Sequence, residues 1–133
     1  MTVPANQSVL LDTSVLINFL HRKREPTELL RHLVMRGVTL AVSCVTVAEL
    51  FAGMRENEET ATEELLLTMD CLPVTVEIAR RAGIIRAAQR RLGRTFALDD
   101  MMIAATAIQY GCQLITDNRK DFEVPGVELF PPF

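Results

Sequence analysis

The stretch SVLLDTSVLINFL, from Ser8 to Leu20, joins a short apolar run to an apolar helical segment through a single aspartate. The run SVLL is typical of a buried strand, and the residues after Asp12 have the pattern of a helix that begins at a capping Thr or Ser. This junction therefore predicts a strand that leads directly into a helix, with Asp12 at the point where the strand ends.

Strand-like and helix-like segments alternate along the rest of the chain. Further strands are predicted at VTLAVS, CLPV, CQLIT and VELF, and helices at EPTELLRHLVMRG, TVAELFAGM, residues 58 to 69, residues 75 to 92 and LDDMMIAATAIQYG. Such alternation predicts an α/β fold, in which a mainly parallel sheet of about four to five strands carries helices on both faces. We expect residues 1–133 to form a single domain.

The composition excludes several classes of protein. With 49% hydrophobic and 23% charged residues, the chain is expected to fold, and it lacks the roughly 20-residue apolar segment that a membrane span requires. The N-terminal MTVPANQ has no cationic segment before an apolar one, so no secretory signal is expected. Cys44, Cys71 and Cys112 lie among apolar neighbours and are predicted to be reduced core residues of a cytoplasmic protein.

Acidic residues occur at positions where the pattern favours apolar ones. Asp12 ends a predicted strand, where it serves either as a helix cap or as a ligand. Glu49 is the only charged residue between Val38 and Met54, which indicates a special environment or, alternatively, an ordinary exposed glutamate on a partly covered helix. Asp99 and Asp100 begin an otherwise apolar helix, where the helix dipole favours anions. Asp100 shares a helix face with small apolar residues and is predicted to point inward, with Asp99 as the cap.

Convergence of Asp12, Glu49 and Asp100 would be electrostatically expensive. At about 4 Å and an effective dielectric near 20, each pair of charges repels by about 4 kcal/mol. Either bound protons or a divalent cation must then neutralise part of the cluster. A ligand set of hard oxygens favours Mg²⁺, or alternatively Mn²⁺, over Zn²⁺.

Four motifs carry a resemblance to a known family. In this order and at these separations, LLDTSVLINFL, TVAELFAG, ALDDMMIAATA and LITDNRKDF resemble a PIN domain, and more narrowly a VapC-type toxin of a toxin–antitoxin pair. The resemblance implies a PIN-like three-layer sandwich. It also implies that Asp12, Glu49 and Asp100 bind metal, and that the fourth site position is Asn118, with Asp117 as a substitute. By the same resemblance, Thr13, Ser14 and Thr116 are hydroxyl residues that support these acids, and their alternative role is that of caps and turn formers. Asp99 and Asp117 are also expected to support the site.

The resemblance further implies a Mg²⁺-dependent endoribonuclease in which a metal-activated water hydrolyses RNA. A cognate VapB-type antitoxin would inhibit it, and the protein would form a homodimer. Because an acidic site repels RNA, cationic guidance is needed from elsewhere. Arg86, Arg90 and Arg94, spaced by four residues on the predicted helix before Asp99, are hypothesised to bind the RNA backbone. His21 and His32 lie outside the motifs, which argues against a paired-histidine mechanism.

Two other functions compete with this interpretation. A catalytically decayed PIN-like domain would bind RNA without cutting it. A strand that ends in LLDTS is also similar to the aspartate-nucleophile phosphohydrolases, which carry a second aspartate two residues after the first. Ser14 occupies that position here, which argues against the phosphohydrolase class.

Overall fold

The computed structural model describes residues 7–133, which form one parallel sheet flanked by helices. Residues 1–6 lie outside the described residues, and with them lies most of the segment used to predict that no secretory signal is present. The strands are β1 (Ser8–Leu11), β2 (Thr39–Ser43), β3 (Asp70–Leu72) and β4 (Gln113–Ile115). The helices are α1 (Thr13–Leu20), α2 (Arg24–Met35), α3 (Cys44–Gly53), α4 (Glu59–Leu67), α5 (Val76–Arg91), α6 (Leu98–Tyr110) and a 3₁₀ helix at Arg119–Phe122.

The sheet has the order β3-β2-β1-β4, and all of its strand pairs are parallel. Strand β1 lies inside the sheet, where Leu10 is in register with Ala41 of β2 and with Leu114 of β4. The predicted strand at VELF is reduced to an isolated bridge between Leu114 and Leu129. Pro131 and Pro132 follow this bridge and have no backbone N–H to donate, so the pairing does not extend.

Strand β1 is buried on both faces. Val9 and Leu11 pack into a core cluster with residues of α1, α2 and α4, whereas Leu10 packs into a second cluster with residues of α5 and α6. All three side chains are 0% exposed. The predicted α/β architecture, with helices on both faces of a parallel sheet, is therefore confirmed. No helix in residues 7–133 is long and apolar enough to cross a lipid bilayer.

Helix α6 carries Asp99 and Asp100 in its first turn and is buried along most of its length. Ala104, Ala105 and Ala107 are at most 1% exposed, and such small side chains allow close approach of the neighbouring elements. The helix ends as predicted at Gly111, which adopts a left-handed conformation with φ of 65°. Helix α6 is thus firmly held, and its N-terminus lies at a defined place beside the sheet.

The prediction that all three cysteines lie in the core is wrong for two of them. Cys112 is buried, but Cys44 and Cys71 are exposed free thiols. Cys44 is the first residue of α3, and Cys71 lies on β3, which pairs only with β2 and so forms an edge of the sheet. Apolar sequence neighbours did not reveal that Cys44 begins a helix or that Cys71 lies on an edge strand of the sheet.

Because β1 contributes to both core clusters, truncation of Leu10 removes packing from one of the most constrained positions of the fold. We expect Leu10→Ala to lower the free energy of unfolding by about 2–5 kcal/mol, as measured by urea denaturation. The matched control is Leu67→Ala, since Leu67 is 86% exposed, and its effect should stay within about 0.5 kcal/mol. Equal losses for the two variants would contradict this account of the core.

Candidate metal and active site

Four segments that carry predicted site residues meet at the carboxyl ends of the strands, because the strands of the sheet are parallel. Asp12 follows β1 and Thr116 follows β4, while Glu49 lies on α3, which begins where β2 ends. The backbone N–H of Asp12 donates to the carbonyl of Ile115 at 2.9 Å, so the ends of β1 and β4 are joined directly. Helix α6 places Asp100 near Asp12 at these carboxyl ends, where open α/β sheets bind their ligands.

Asp12 is the most deeply buried of these acids, at 4% exposure. Its Oδ1 accepts from the backbone N–H of Thr13 at 2.8 Å, and its Oδ2 accepts from the hydroxyls of Ser14 at 2.9 Å and Thr116 at 2.7 Å. Burial raises the pKa of Asp12, and these hydrogen bonds oppose that rise only in part. Asp12 therefore caps α1 and also presents a buried carboxylate, so the two interpretations of this residue are compatible.

Ser14 occupies the position where an aspartate-nucleophile phosphohydrolase would carry its second aspartate. Here the Ser14 hydroxyl donates to Asp12. The residue thus stabilises the carboxylate and supplies no second acid.

Glu49 is linked to Asp12 through Thr13. The Thr13 hydroxyl donates to Glu49 Oε1 at 2.6 Å and lies 3.0 Å from the hydroxyl of Thr46, one turn earlier on α3. Since the Thr13 N–H already binds Asp12, one residue holds both carboxylates. Burial is the main cause that raises the pKa of Glu49, and the charge of Asp12 raises it further. Thr46 was missed in the sequence, although its position three residues before Glu49 places both on one helix face.

Asp99 does not cap α6, contrary to the prediction. The N-cap is Ala97, which provides no side-chain cap. Asp99 lies in the first helical turn and faces Glu49, because α3 packs against α6. A side-chain hydrogen bond and the charge of Asp99 both raise the pKa of Glu49. Asp99 therefore adds to the effect of burial, which is the main cause of the raised pKa of Glu49.

The pKa of Asp100 is raised to about 7. Burial of the half-exposed carboxyl is the main cause. Neighbouring carboxylates raise the pKa further, in decreasing order Asp99, Asp12, Asp121 and Glu49. Asp100 is therefore the residue on which the charges of the other acids act together, and a large part of its population is protonated at neutral pH.

Asp12 raises the pKa of Glu49, and both raise the pKa of Asp100, without the three acids forming a preformed metal-binding group. Their charges act on one another, yet no group of three or more Asp, Glu, His or Cys side chains in residues 7–133 is positioned to hold a metal ion. The physical reason is that Asp12 and Glu49 are each bound by hydroxyl or backbone donors of their own, while like charges repel. The available donors are carboxylate and hydroxyl oxygens, which fit a hard divalent cation.

The fourth site position remains divided between two residues. The Asn118 backbone N–H donates to the Thr116 hydroxyl at 2.9 Å, and its side chain is exposed. Asp117 accepts from the amide of Asn18 at 2.8 Å, and its charge contributes to the raised pKa of Asp12. Asn18 was missed, although it is a polar residue within the apolar run VLINFL. Asn118 therefore stays a prediction, with Asp117 as its substitute.

Asp121 was also missed. It is half-buried on the 3₁₀ helix at Arg119–Phe122, and its charge raises the pKa of Asp100. Its backbone N–H donates to the carbonyl of Asn118, three residues earlier, at 3.0 Å. In the motif LITDNRKDF, Asp121 lies three residues after Asn118, and this spacing is the sequence signal that Asp121 lies near the predicted site.

The predicted arginine stripe on one helix face is wrong. Helix α5 ends at Arg91, and Gly93, with φ of 80°, turns the chain before Arg94. Arg86 is half-buried, and its Nε donates to the carbonyl of Phe96 at 2.8 Å. Arg90 is exposed on the last turn of α5. The three residues therefore have three different environments, because a stripe through Arg94 would require the helix to continue for three residues beyond Arg91.

His32 is exposed, and His21 is half-buried. His21 Nε2 lies 3.5 Å from a carboxylate oxygen of Glu58, which precedes α4. Neither histidine is among the groups that contact or charge the acidic site. The geometry accordingly provides no paired-histidine arrangement in residues 7–133.

Comparison with known proteins agrees with this architecture. Residues 9–126 match the PIN domain family. The chain is 33% identical over 124 residues to ribonuclease VapC19 of Mycobacterium tuberculosis, a match that covers 93% of this chain and 98% of that protein. It is 42% identical over 94 residues to ribonuclease VapC10 of the same species, covering 71% of this chain and 70% of that one.

Solved structures give the same result. A chain in a toxin-antitoxin complex from Klebsiella pneumoniae superposes with a TM-score of 0.78 at 30% identity, covering 94% of this chain and 98% of the other. The chain therefore belongs, as its motifs indicate, to the PIN domain family and to its VapC group.

Proposed function

We propose that this protein is a divalent-metal-dependent endoribonuclease toxin of the VapC type that hydrolyses RNA phosphodiester bonds. The observation that carries the proposal is the half-buried acidic cluster at the carboxyl ends of the strands, where burial and the charges of Asp99, Asp12, Asp121 and Glu49 together raise the pKa of Asp100 to about 7. The repulsion between these carboxylates is unfavourable, and a bound cation would reduce it. Relatives that align over most of the chain are named ribonucleases, which supports RNA as the substrate.

We assign metal binding to Asp12, Glu49 and Asp100, with Asn118 completing the set and Asp117 as its substitute. Mg²⁺ is the ion that best fits these oxygen donors, and Mn²⁺ is the alternative. When bound, such an ion supplies a water of lowered pKa and polarises the phosphodiester.

The chain's own groups orient and tune these acids. Thr13, Ser14 and Thr116 hold the Asp12 carboxylate in one orientation, and Thr13 also holds Glu49. Asp99 lies beside Glu49, and its charge contributes to the raised pKa of Glu49, so the two acids crowd negative charge that a bound cation would offset. Supporting groups of this kind commonly change metal affinity by about 10- to 100-fold when they are removed.

We further propose that a cognate VapB-type antitoxin inhibits the protein. The support is the similarity to a chain solved in a toxin-antitoxin complex. An apolar groove of about 360 Å³, whose lining includes Phe19, Leu30, Val34 and Met35, offers a surface that an apolar antitoxin segment would cover. Met35 is 78% exposed and Val34 is 59% exposed, so this apolar area is open to a partner.

A homodimer is part of the same proposal. Val76 and Ile84 on α5 are 85% and 51% exposed, and Tyr110 at the end of α6 is 45% exposed. Because α5 and α6 pack together, these side chains provide apolar area for a second copy of the chain. We place the toxin in the cytoplasm, where its RNA substrate and its antitoxin would be present.

Metal dependence is the first test. We expect the purified protein to cleave RNA in Mg²⁺ and to lose this activity in EDTA. Asp12→Asn should lower the cleavage rate by at least about 100-fold, because it removes a charge that the proposal assigns to metal binding. Denaturing gel electrophoresis of a labelled RNA provides the measurement. Asp70→Asn is the control, since Asp70 is exposed on β3.

Binding of RNA without any Mg²⁺-dependent cleavage would instead support a catalytically decayed scaffold. Undiminished cleavage by Asp12→Asn would reject the assigned site, whereas a comparable loss in Asp70→Asn would show that the effect is not specific to it.

The buried hydroxyl of Thr116 tests the support of Asp12. Thr116→Val preserves the shape of the side chain but removes the 2.7 Å hydrogen bond to Asp12 Oδ2, together with the acceptor of the Asn118 N–H. We expect Mg²⁺ affinity, measured by isothermal titration calorimetry, to fall by about 10-fold or more, with a parallel rise in the Mg²⁺ concentration needed for cleavage. Thr68→Val provides a control, because the Thr68 hydroxyl bonds only to a backbone carbonyl of α4. Unchanged Mg²⁺ affinity in Thr116→Val would show that this bond does not support metal binding.

The raised pKa of Asp100 predicts how metal-free stability depends on pH. The folded-state pKa of about 7 lies above the unfolded value of about 3.9, so the folded state binds an extra proton between these values. Stability should therefore fall as pH rises from about 4 to 7. We expect Asp100→Asn to be more stable than the wild type at pH 8 and the difference to shrink at pH 5.

Urea denaturation in EDTA measures this effect, with Asp70→Asn as the control. A stability difference between Asp100→Asn and the wild type that is equal at the two pH values would show that the charge of Asp100 is not the cause.

A further inference from the structure

A polar cavity of about 530 Å³ adjoins the acidic site. Its lining includes Arg94 and Phe96 from the segment between α5 and α6, Asp100 from α6, and Lys120 and Asp121 from the 3₁₀ helix. The volume lies within the range of sites that bind small organic ligands. The cavity is thus large enough for one nucleotide and shares Asp100 with the proposed metal site.

Two cations face this cavity without partners of opposite charge. Arg94 and Lys120 are both exposed and come from different segments of the chain. Neither forms a salt bridge with any residue in 7–133, although Asp100 and Asp121 line the same cavity. The two cations therefore remain available to an anionic ligand that lies beside Asp100.

The segment that carries Arg94 is fastened at both ends. The backbone N–H of Arg94 donates to the carbonyl of Gln89 at 2.9 Å, next to the left-handed turn at Gly93. The Nε of Arg86 donates to the carbonyl of Phe96 at 2.8 Å. Arg86 therefore holds the segment in place from α5, and the half-buried guanidinium is engaged in this bond. A cation on a fixed segment loses less freedom when a ligand binds.

We propose that this cavity binds the nucleotide next to the scissile phosphodiester of an RNA, with Arg94 and Lys120 contacting phosphate oxygens. The proposal rests on the proposed function, because it states where that substrate lies. The nucleotide must be unpaired, since a base stacked within a duplex does not enter a cavity of this kind.

The subsite recognises phosphate charge and not base identity. Phe96 is half-buried and packs against the second core cluster, so its ring is already used by the protein. The other residues that distinguish the cavity are its two cations and two acids. Contacts to phosphate weaken binding uniformly across sequences when they are lost.

Arg86 is a positioning residue in this arrangement. It acts through Phe96 and the segment before α6, and not through contact with RNA. Removal of Arg86 should therefore weaken RNA binding only in a protein that retains Arg94.

The test measures binding of fluorescein-labelled single-stranded 12-nucleotide RNAs of two unrelated sequences to the full chain by fluorescence anisotropy in EDTA. We expect Arg94→Gln and Lys120→Gln each to lower the affinity by roughly fivefold at 0.1 M salt, and to reduce the salt-dependence slope by about 0.7. Both RNAs should be affected alike. Arg81→Gln, on α5 and on the lining of a different cavity, is the matched control and should have a smaller effect.

A double-mutant cycle tests the role of Arg86. If Arg86 acts by positioning Arg94, the variant with both Arg86→Ala and Arg94→Gln should bind RNA no more weakly than Arg94→Gln alone. Multiplied losses would show that Arg86 contacts RNA independently and would overturn its positioning role. Urea denaturation of each variant establishes that the compared proteins are folded.

Three outcomes would overturn the subsite: wild-type affinity in Arg94→Gln and Lys120→Gln, an equal loss in Arg81→Gln, or losses that differ strongly between the two RNAs. Cleavage in Mg²⁺ is measured separately on the wild type. A wild type that cleaves RNA while these binding results fail rejects only the subsite. A wild type that does not cleave RNA rejects the proposed function, whatever the binding results are.

Discussion

The buried carboxylate of Asp12 is the group on which the fold and the acidic site both depend. Removal of a charge from water costs several kcal/mol unless hydrogen bonds replace the lost hydration. Here the donors are Thr13, Ser14 and Thr116, the last of which is 104 positions away in the chain. The bond from Thr116 joins the end of β4 to the end of β1. The hydrogen bonds of Asp12 thus join two strand ends, cap α1 and orient the carboxylate.

The acids around Asp12 are held apart by different means, and this separation determines the electrostatics of the site. Thr13 binds Glu49, Asp99 shares a hydrogen bond with Glu49, and Asp100 is half-buried at the start of α6. The helix dipole favours both acids of α6, but the net effect on Asp100 is still a raised pKa. The fold therefore keeps an unfavourable charge distribution, which is common where function and stability compete.

The cations of this region lie at the border of the acidic cluster. Arg94 and Lys120 lie on segments on either side of Asp100, and Arg86 fixes the first of these segments through Phe96. This division has a physical reason, because cations placed among the acids would form salt bridges and neutralise the site. Cations at its border compensate the charge of an anionic substrate and leave the carboxylates available to a metal ion.

The sequence by itself determined the α/β class, the positions of the helices and strands, and the candidate acids, because hydrophobic periodicity and charges in apolar surroundings are local signals. It did not reveal that Asp99 faces Glu49, that Arg86 is bound to the carbonyl of Phe96, or that Cys71 is exposed on an edge strand. Only the tertiary structure decided these features. The reason is that hydrogen bonding and exposure depend on distances between segments that are far apart in the chain, and packing of the helices on the sheet sets those distances.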